Sequence, residues 1–261
     1  MHHFFADPSC VEDGWIRIEG ADAAHMGKVL RMRPGESLLV SDGKGRDYLC
    51  QVEALEREYA RVRILEERQA GGELPARIWL FQGLPKSDKM DLIVQKAVEL
   101  GAFGVVPTAT KNAVVKLDEK KGEAKVRRWQ AIARSAAEQS KRSCIPRVLP
   151  PMSLEEAFAF VRERQFGLCL IPYEEEQGME SMREALAAIG AGGRPGPMNL
   201  QEAGGDIGVF IGPEGGFDPE EVRRAIFQGI RPVSLGRRIL RTETAGLAVL
   251  SLIMMKLEGA F

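Results

Sequence analysis

The chain has 261 residues, 44% hydrophobic and 28% charged, enough to bury a substantial core in one large domain or two. A formal net charge of −1 excludes a uniformly polycationic protein, although residues 85–147 hold fourteen Lys/Arg against seven Asp/Glu and residues 148–206 hold four against ten. Four widely spaced cysteines with no CxxC or Cys/His ligand spacing argue against a zinc site or a disulfide framework and for a reducing compartment.

The N-terminus lacks the basic and long apolar segments of a secretory signal, and the longest apolar stretch, Ala245 to Met255, is too short to span a bilayer. A soluble cytoplasmic protein with no metal and no membrane partner is expected. Residues 1–66 read as short strands at His3–Phe5, Trp15–Ile18, Ser37–Ser41, Tyr48–Leu55 and Ala60–Leu65, two of them alternating as half-wet strands do. A small β-barrel is the economical fold. One helix interrupts it, from Ala21 or Asp22 to about Leu30, and stops before Pro34-Gly35. Near that stop gather Lys28, Arg31 and Arg33, either a solubilising rim or a phosphate-contacting patch.

The polar, glycine-bearing stretch Leu65 to Pro75 reads as a linker, dividing the chain into domains at 1–70 and 74–261. Beyond it strands and helices alternate: strand Arg77–Gln82, helix Asp88–Leu100, strand Gly104–Pro107, a strand at Ala113–Lys116, a long helix from about Glu123 to Ser140, and a helix from Ser153 to Arg164. Then come strand Phe166–Ile171, helix Met179–Ile189, a glycine-rich loop from Gly190 to Gly205, strand Ile207–Ile211, helix Pro219–Gln228, strand Pro232–Leu235 and a final apolar helix from about Thr242 to Leu257. Such alternation predicts an α/β domain with a mainly parallel sheet.

The most informative segment is Ile207-Gly-Val-Phe-Ile-Gly-Pro-Glu-Gly-Gly-Phe217, a strand running into a turn too bare to pack anything. Asp218, Pro219 and Glu221 have the spacing of a capping box with proline at the first helical position. The turn therefore sits at the carboxyl end of a strand, where open α/β sheets bind ligands. No GxxxxGK[ST], post-strand GxGxxG or GxSxG motif is present, and the histidines, confined to the first 25 residues, leave a hydrolase triad without a base. Group transfer from a bound cofactor is the class that remains.

Several long motifs stand in order: Gly83-Leu-Pro-Lys-Ser-Asp-Lys-Met-Asp-Leu-Ile-Val-Gln-Lys-Ala-Val-Glu-Leu-Gly101, Arg128-Trp129 with Ala137-Glu-Gln-Ser140, Ile211 to Phe217, and Leu235-Gly-Arg-Arg-Ile-Leu-Arg-Thr-Glu-Thr-Ala245. Together with Phe4-Phe5 and Val29 to Gly35, they resemble the RsmE family of 16S ribosomal RNA uridine-N3 methyltransferases, over nearly the whole chain. The resemblance implies a PUA-like RNA-gripping β-barrel, then a SPOUT α/β domain with a C-terminal trefoil knot, acting as a homodimer. It implies S-adenosylmethionine as methyl donor and a uridine in the decoding region of the small ribosomal subunit as acceptor.

Carried onto this chain, the resemblance places the cofactor against Leu170, Ile171 and Pro172, against Ile211, Gly212, Pro213 and Gly215, and against Leu235, Gly236, Ile239, Leu240 and Thr242. Methylating N3 requires an extruded, deprotonated base, whose charge an arginine can stabilise. Arg241 is the leading candidate, with a phosphate clamp or an ion pair as its other readings. Glu214 sits near the sulfonium or caps the turn; Glu243 acts as base or favours the last helix's N-terminus. Lys86, Arg134 and Arg142 join the RNA-binding candidates, residues 134, 138 and 142 sharing a face at i, i+4 spacing. Two departures, Lys111-Asn112 where the family commonly has Arg and Arg237 where it often has Pro, bear on RNA contact. The competing readings are a non-catalytic ribosome-assembly factor and a SPOUT enzyme for another nucleotide.

Overall fold

A computed structural model describes residues 1–56, 58–69, 71–115, 119–189 and 205–260. They form two units, one of Met1–Glu73 with Ala137–Ile145 and one of Leu74–Ala136 with Pro146–Phe261.

The first unit is built from β1 (His2–Phe5), β2 (Val11–Glu12), β3 (Trp15–Glu19), α1 (Gly20–Ala24), β4 (Ser37–Ser41), β5 (Arg46–Leu55) and β6 (Tyr59–Gln69). The strand order is β1-β4-β5-β6-β3-β2, with β1 parallel to β4 and every other pair antiparallel. Inward residues of β3, β4, β5 and β6, such as Ile16, Leu38, Val52 and Val62, pack with Phe4 and Met26 into one core. The sheet thus curls around a single interior as a barrel does, while no described pairing joins edge strands β1 and β2.

Two expectations change in this unit. The helix begins at Gly20 and widens into a single π-turn over His25–Val29, and Arg31, at φ +52°, ends it. Strand β6 runs on to Gln69, paired with Arg46, so half of the expected linker belongs to a hairpin. Residues 137–145 cluster here as well. The Glu73 carboxylate accepts hydrogen bonds from the backbone N–H groups of Ser143 and Cys144 at 3.0 and 3.2 Å and pairs with the Arg142 guanidinium, while Ser143 Oγ donates to Asp47 Oδ2 at 2.7 Å.

The second unit contains β7 (Arg77–Gly83), α2 (Lys89–Glu99), β8 (Ala102–Ala109), α3 (Glu119–Ser140), β9 (Arg147–Val148), β10 (Met152–Ser153), α4 (Leu154–Glu163) and β11 (Leu168–Pro172), then α5 (Glu180–Ala188), β12 (Asp206–Ile211), α6 (Pro219–Phe227), β13 (Arg231–Val233) and α7 (Thr242–Leu257). The end of α3 falls in the first unit. All pairs in this sheet are parallel, in the order β10-β8-β7-β12-β11-β13 with β9 beside β8.

Strands β7, β11 and β12 read as continuous apolar runs because both of their faces are covered. On one face Phe81 stacks on Phe210, centroids 4.4 Å apart, within a cluster that includes Phe158 of α4 and Val222 of α6. On the other, Gly246 of α7 lies over Leu80 and Ile211. The capping box on α6 forms as its residue types require, and α7 starts and stops where expected. Residues 113–115 carry no strand, a correction; residue 116 and most of the glycine-rich loop lie outside the described residues. The two-residue strands β9 and β10, too short to show a period, were not foreseen.

Candidate active site

Strand β12 lies between β7 and β11, so the carboxyl ends of three parallel strands from distant parts of the chain converge. That is a topological switch point, the place where open α/β sheets leave a crevice. A cleft of about 260 Å³ opens there between Pro172 to Glu174 after β11, Ile211 to Phe217 after β12, and Ile239 to Thr242 before α7. A second hollow of about 140 Å³ adjoins it, bounded by Ser234 to Leu240.

The two expected bends therefore meet. Thr242 Oγ1 donates to the Gly212 carbonyl at 2.6 Å, and Gln82 Nε2, from the end of β7, donates to Thr242 Oγ1 at 2.9 Å. Of the residues assigned to the cofactor, Pro172, Ile211, Gly212, Pro213, Leu235, Gly236, Ile239, Leu240 and Thr242 line these hollows. Leu170 and Ile171 do not; both are fully buried inside β11, because only the last residue of a strand reaches its carboxyl-end crevice. Gly215 also turns away: a Cβ there would lie 3.2 Å from Asn112 Cβ, and Gly216, at φ +66°, faces the cleft instead. Ile239 leaves 87% of its surface uncovered at the rim.

Asn112 and Lys111 have structural partners. Asn112 Nδ2 donates to the carbonyls of Gly215 and Gly216, and the Lys111 N–H and ammonium reach Glu221 and Asp218 of the α6 capping box, at 2.8 and 2.6 Å. The hydrogen bond to Asp218 holds the Lys111 ammonium above its usual pKa and, first among its causes, the Asp218 carboxyl below its own. Asn112 thus braces the glycine turn from behind, and Lys111 the start of α6 that follows it.

The charged residues divide. Glu214 lines the cleft, its carboxylate accepting from the Lys86 N–H at 3.1 Å and pairing with Lys89 Nζ at 3.0 Å. Burial pushes the Glu214 carboxyl up, but the hydrogen bonds from its own N–H, from Lys89 and from Lys86 outweigh this and leave its pKa lowered. Glu243 stands off the cleft: its buried Oε2 lies 3.3 Å from Lys89 Nζ and makes no hydrogen bond. Arg241 lines the cleft with an exposed side chain, as do Arg237 and Arg238 around the second hollow.

Of the RNA-binding candidates, Lys28, Arg31 and Arg33 are exposed in the first unit, Lys86 is exposed in the second and Arg134 is half-buried. Arg142 is a correction. Lys141 takes φ +58° and ends the helix, so residue 142 leaves the face of 134 and 138 and becomes buried, paired with Glu73. Sequence reasoning missed Lys89, Tyr173, Glu174 and Phe217 in the cleft wall. Glu174, two residues beyond the end of β11, was open to the strand-end rule that found the glycine turn; Lys89 had no such local mark.

Because Glu214 titrates lower in the folded protein, its contribution to stability is present above the ordinary carboxylate value of 4.5 and is lost as pH falls through the lowered one. Thermal melts between pH 7 and 3 should show wild type above Glu214→Gln at neutral pH and the two converging below about 4.5. A constant gap across that range would assign the effect to packing.

A glycine-walled cleft at a parallel switch point is the site of a cofactor-dependent group-transfer enzyme. The family described as RNA methyltransferase domain matches residues 72–254, and that described as RNA methyltransferase PUA domain matches residues 18–65. Ribosomal RNA small subunit methyltransferase E of Bacillus subtilis is 34% identical over 92% of this chain and 90% of its own length. The crystal structure of the Neisseria gonorrhoeae protein of that name, bound to S-adenosyl methionine, has TM-score 0.80, 31% identity and coverage of 100% of this chain and 99% of its own. A putative methyltransferase from Legionella pneumophila in complex with the same cofactor has TM-score 0.79, 30% identity and 96% coverage of each chain. The chain belongs to the ribosomal RNA small subunit methyltransferase E family.

Proposed function

We propose that this protein transfers a methyl group from S-adenosylmethionine to N3 of a uridine in the decoding region of 16S ribosomal RNA. The observation that carries the reading is the meeting of the glycine turn with the pre-α7 loop in one cleft, closed by the 2.6 Å bond from Thr242 to Gly212. The residues fit the cofactor. The adjoining hollows of about 260 and 140 Å³ together reach the roughly 300–1,000 Å³ of small-molecule sites, and bare glycine at 212 and 216 leaves main chain available to an adenosyl edge.

When bound, S-adenosylmethionine supplies an electrophilic methyl on a sulfonium centre. The protein's own part is orientation and charge. Gly212, Pro213, Gly236 and Leu240 hold the donor, while the Arg241 guanidinium stabilises negative charge on the oxygens flanking N3 of an extruded base. Glu214, the carboxylate in the wall, favours a cation nearby. Glu243 supports α7 through its dipole and Lys89 rather than acting as base. Lys28, Arg31, Arg33 and Lys86 contact RNA phosphates.

This reading includes a cytoplasmic homodimer and a trefoil knot. The dimer is supported by Leu92 of α2 and Met255 of α7, 44% and 42% exposed on helices that pack together, and the knot by the family resemblance. No helix among the described residues is long and apolar enough to cross a membrane.

Donor binding is tested by thermal shift. At about 100 times Kd, S-adenosylmethionine should stabilise the fold by about 2.7 kcal/mol and raise Tm by several degrees. No shift at saturation would leave an RNA-binding assembly factor. Nucleoside mass spectrometry of small-subunit RNA incubated with protein and donor should then show 3-methyluridine; a different methylated nucleoside would overturn the acceptor.

A further inference from the structure

The hydrogen-bond chain beneath the cleft has a fixed direction. Gln82 is fully buried at the end of β7, its Nε2 3.0 Å from the Gly83 carbonyl and 2.9 Å from Thr242 Oγ1, whose single proton goes to the Gly212 carbonyl. The opposite amide orientation would put an oxygen against two acceptors and leave the NH₂ without a partner. Even in the orientation that donates to both, Gln82 Oε1 is buried with no partner among the described residues, 3.6 Å from where a Cβ on Gly246 would stand. Such an orphan is costly in a core, and an apolar side chain would avoid it. What the amide supplies is a pair of donated hydrogen bonds, one to the Gly83 carbonyl and one to Thr242 Oγ1. Gln82 does not line the cleft.

We infer that Gln82 is a positioning residue for the methyl donor, acting through Thr242 on the Gly212 carbonyl. By donating to Thr242 Oγ1 it holds the hydroxyl proton on Gly212 O, so that the turn after β12 and the loop before α7 are joined before the donor arrives. Preorganisation of this kind lowers the ordering cost of binding. The inference rests on the donor-site reading above.

The test is a double-mutant cycle on donor affinity. Gln82→Met and Thr242→Val should each raise the Kd for S-adenosylmethionine roughly tenfold by calorimetry, and the double variant should bind within about twofold of the weaker single one. Thr242→Ser, which keeps the hydroxyl, should bind the donor more tightly than Thr242→Val. In methylation assays Gln82→Met should raise KM for the donor and leave KM for RNA within about twofold, a split that general loss of packing would not produce. If Gln82→Met fails to fold, Gln82→Glu replaces it: a carboxyl buried there can donate to Thr242 Oγ1 only while protonated, so its donor affinity should fall below that of wild type as pH is raised. Equal donor affinity of wild type and the Gln82 variant, or losses that multiply to about a hundredfold, would overturn the inference alone; a wild type that binds no donor would overturn the functional reading with it.

Discussion

Replacing Arg241 by Ala should slow methyl transfer by about 10²–10³-fold while changing the Kd for S-adenosylmethionine less than about threefold. Arg241 occupies the N-cap of α7, yet its side chain makes no capping bond, and its carbonyl already accepts from Thr244 and Ala245 at 2.9 and 2.8 Å. Removing the side chain therefore leaves the helix start intact. The guanidinium is exposed at the cleft, and among the described residues it has no ion-pair or hydrogen-bond partner to lose. Its positive charge is available to a reacting group, and its effect should fall on the chemical step. Single-turnover rates at saturating donor, set beside calorimetric affinities, measure both quantities. A variant that binds donor tenfold more weakly but reacts at the normal rate would give Arg241 a binding role.

Gly83→Ala should have the largest effect on architecture. A glycine-to-alanine change in ordinary strand backbone gains roughly 0.4–1 kcal/mol by restricting the unfolded chain. At position 83 the added Cβ would fall 2.6 Å from Pro213 N and 2.9 Å from Gly212 C, and these are backbone atoms of the donor turn. Overpacking of that kind costs about 1–3 kcal/mol and outweighs the gain. The turn must move, so donor affinity should drop at least roughly tenfold along with stability. Gly122→Ala is the control: inside α3 its Cβ would meet only Pro151 at 3.7 Å, and helix propensity predicts a gain of roughly 0.5–1 kcal/mol. Denaturant unfolding of both variants with calorimetry on Gly83→Ala decides the matter. Unchanged donor binding in Gly83→Ala would show that the turn is not held by close approach to β7.

Residue patterns that act over a few positions were legible without coordinates. Asp218, Pro219 and Glu221 specify the start of α6 because a capping box is local chemistry, and the apolar run from Thr242 to Leu257 specifies α7 by length and period. The glycine turn at 212–216 was legible as a bend at a strand end for the same reason: bare main chain after an apolar strand is a local mark. Family resemblance supplied what periodicity does not contain, namely the cofactor, the ribosomal RNA acceptor and the expectation of a knot.

Several errors arose where a residue's role depends on a partner far along the chain. Arg142 looks like one of many surface cations until Glu73, some seventy residues earlier, turns it inward. Lys111 and Asn112 look like altered RNA contacts until the α6 cap and the Gly215 and Gly216 carbonyls receive them. Leu170 and Ile171 belong to the right strand but sit behind the crevice, a matter of one or two residues of register.

The amino-acid sequence by itself determined the alternation of elements, the capped and glycine-broken ends and the class of chemistry, since each depends on backbone preferences and side-chain period within a short window. Only the tertiary structure decided which ends meet. Gln82, Gly212 and Thr242 come together because β12 pairs between β7 and β11, and hydrogen bonding between strands brings residues 160 positions apart within 3 Å of one another, a proximity with no counterpart in local sequence.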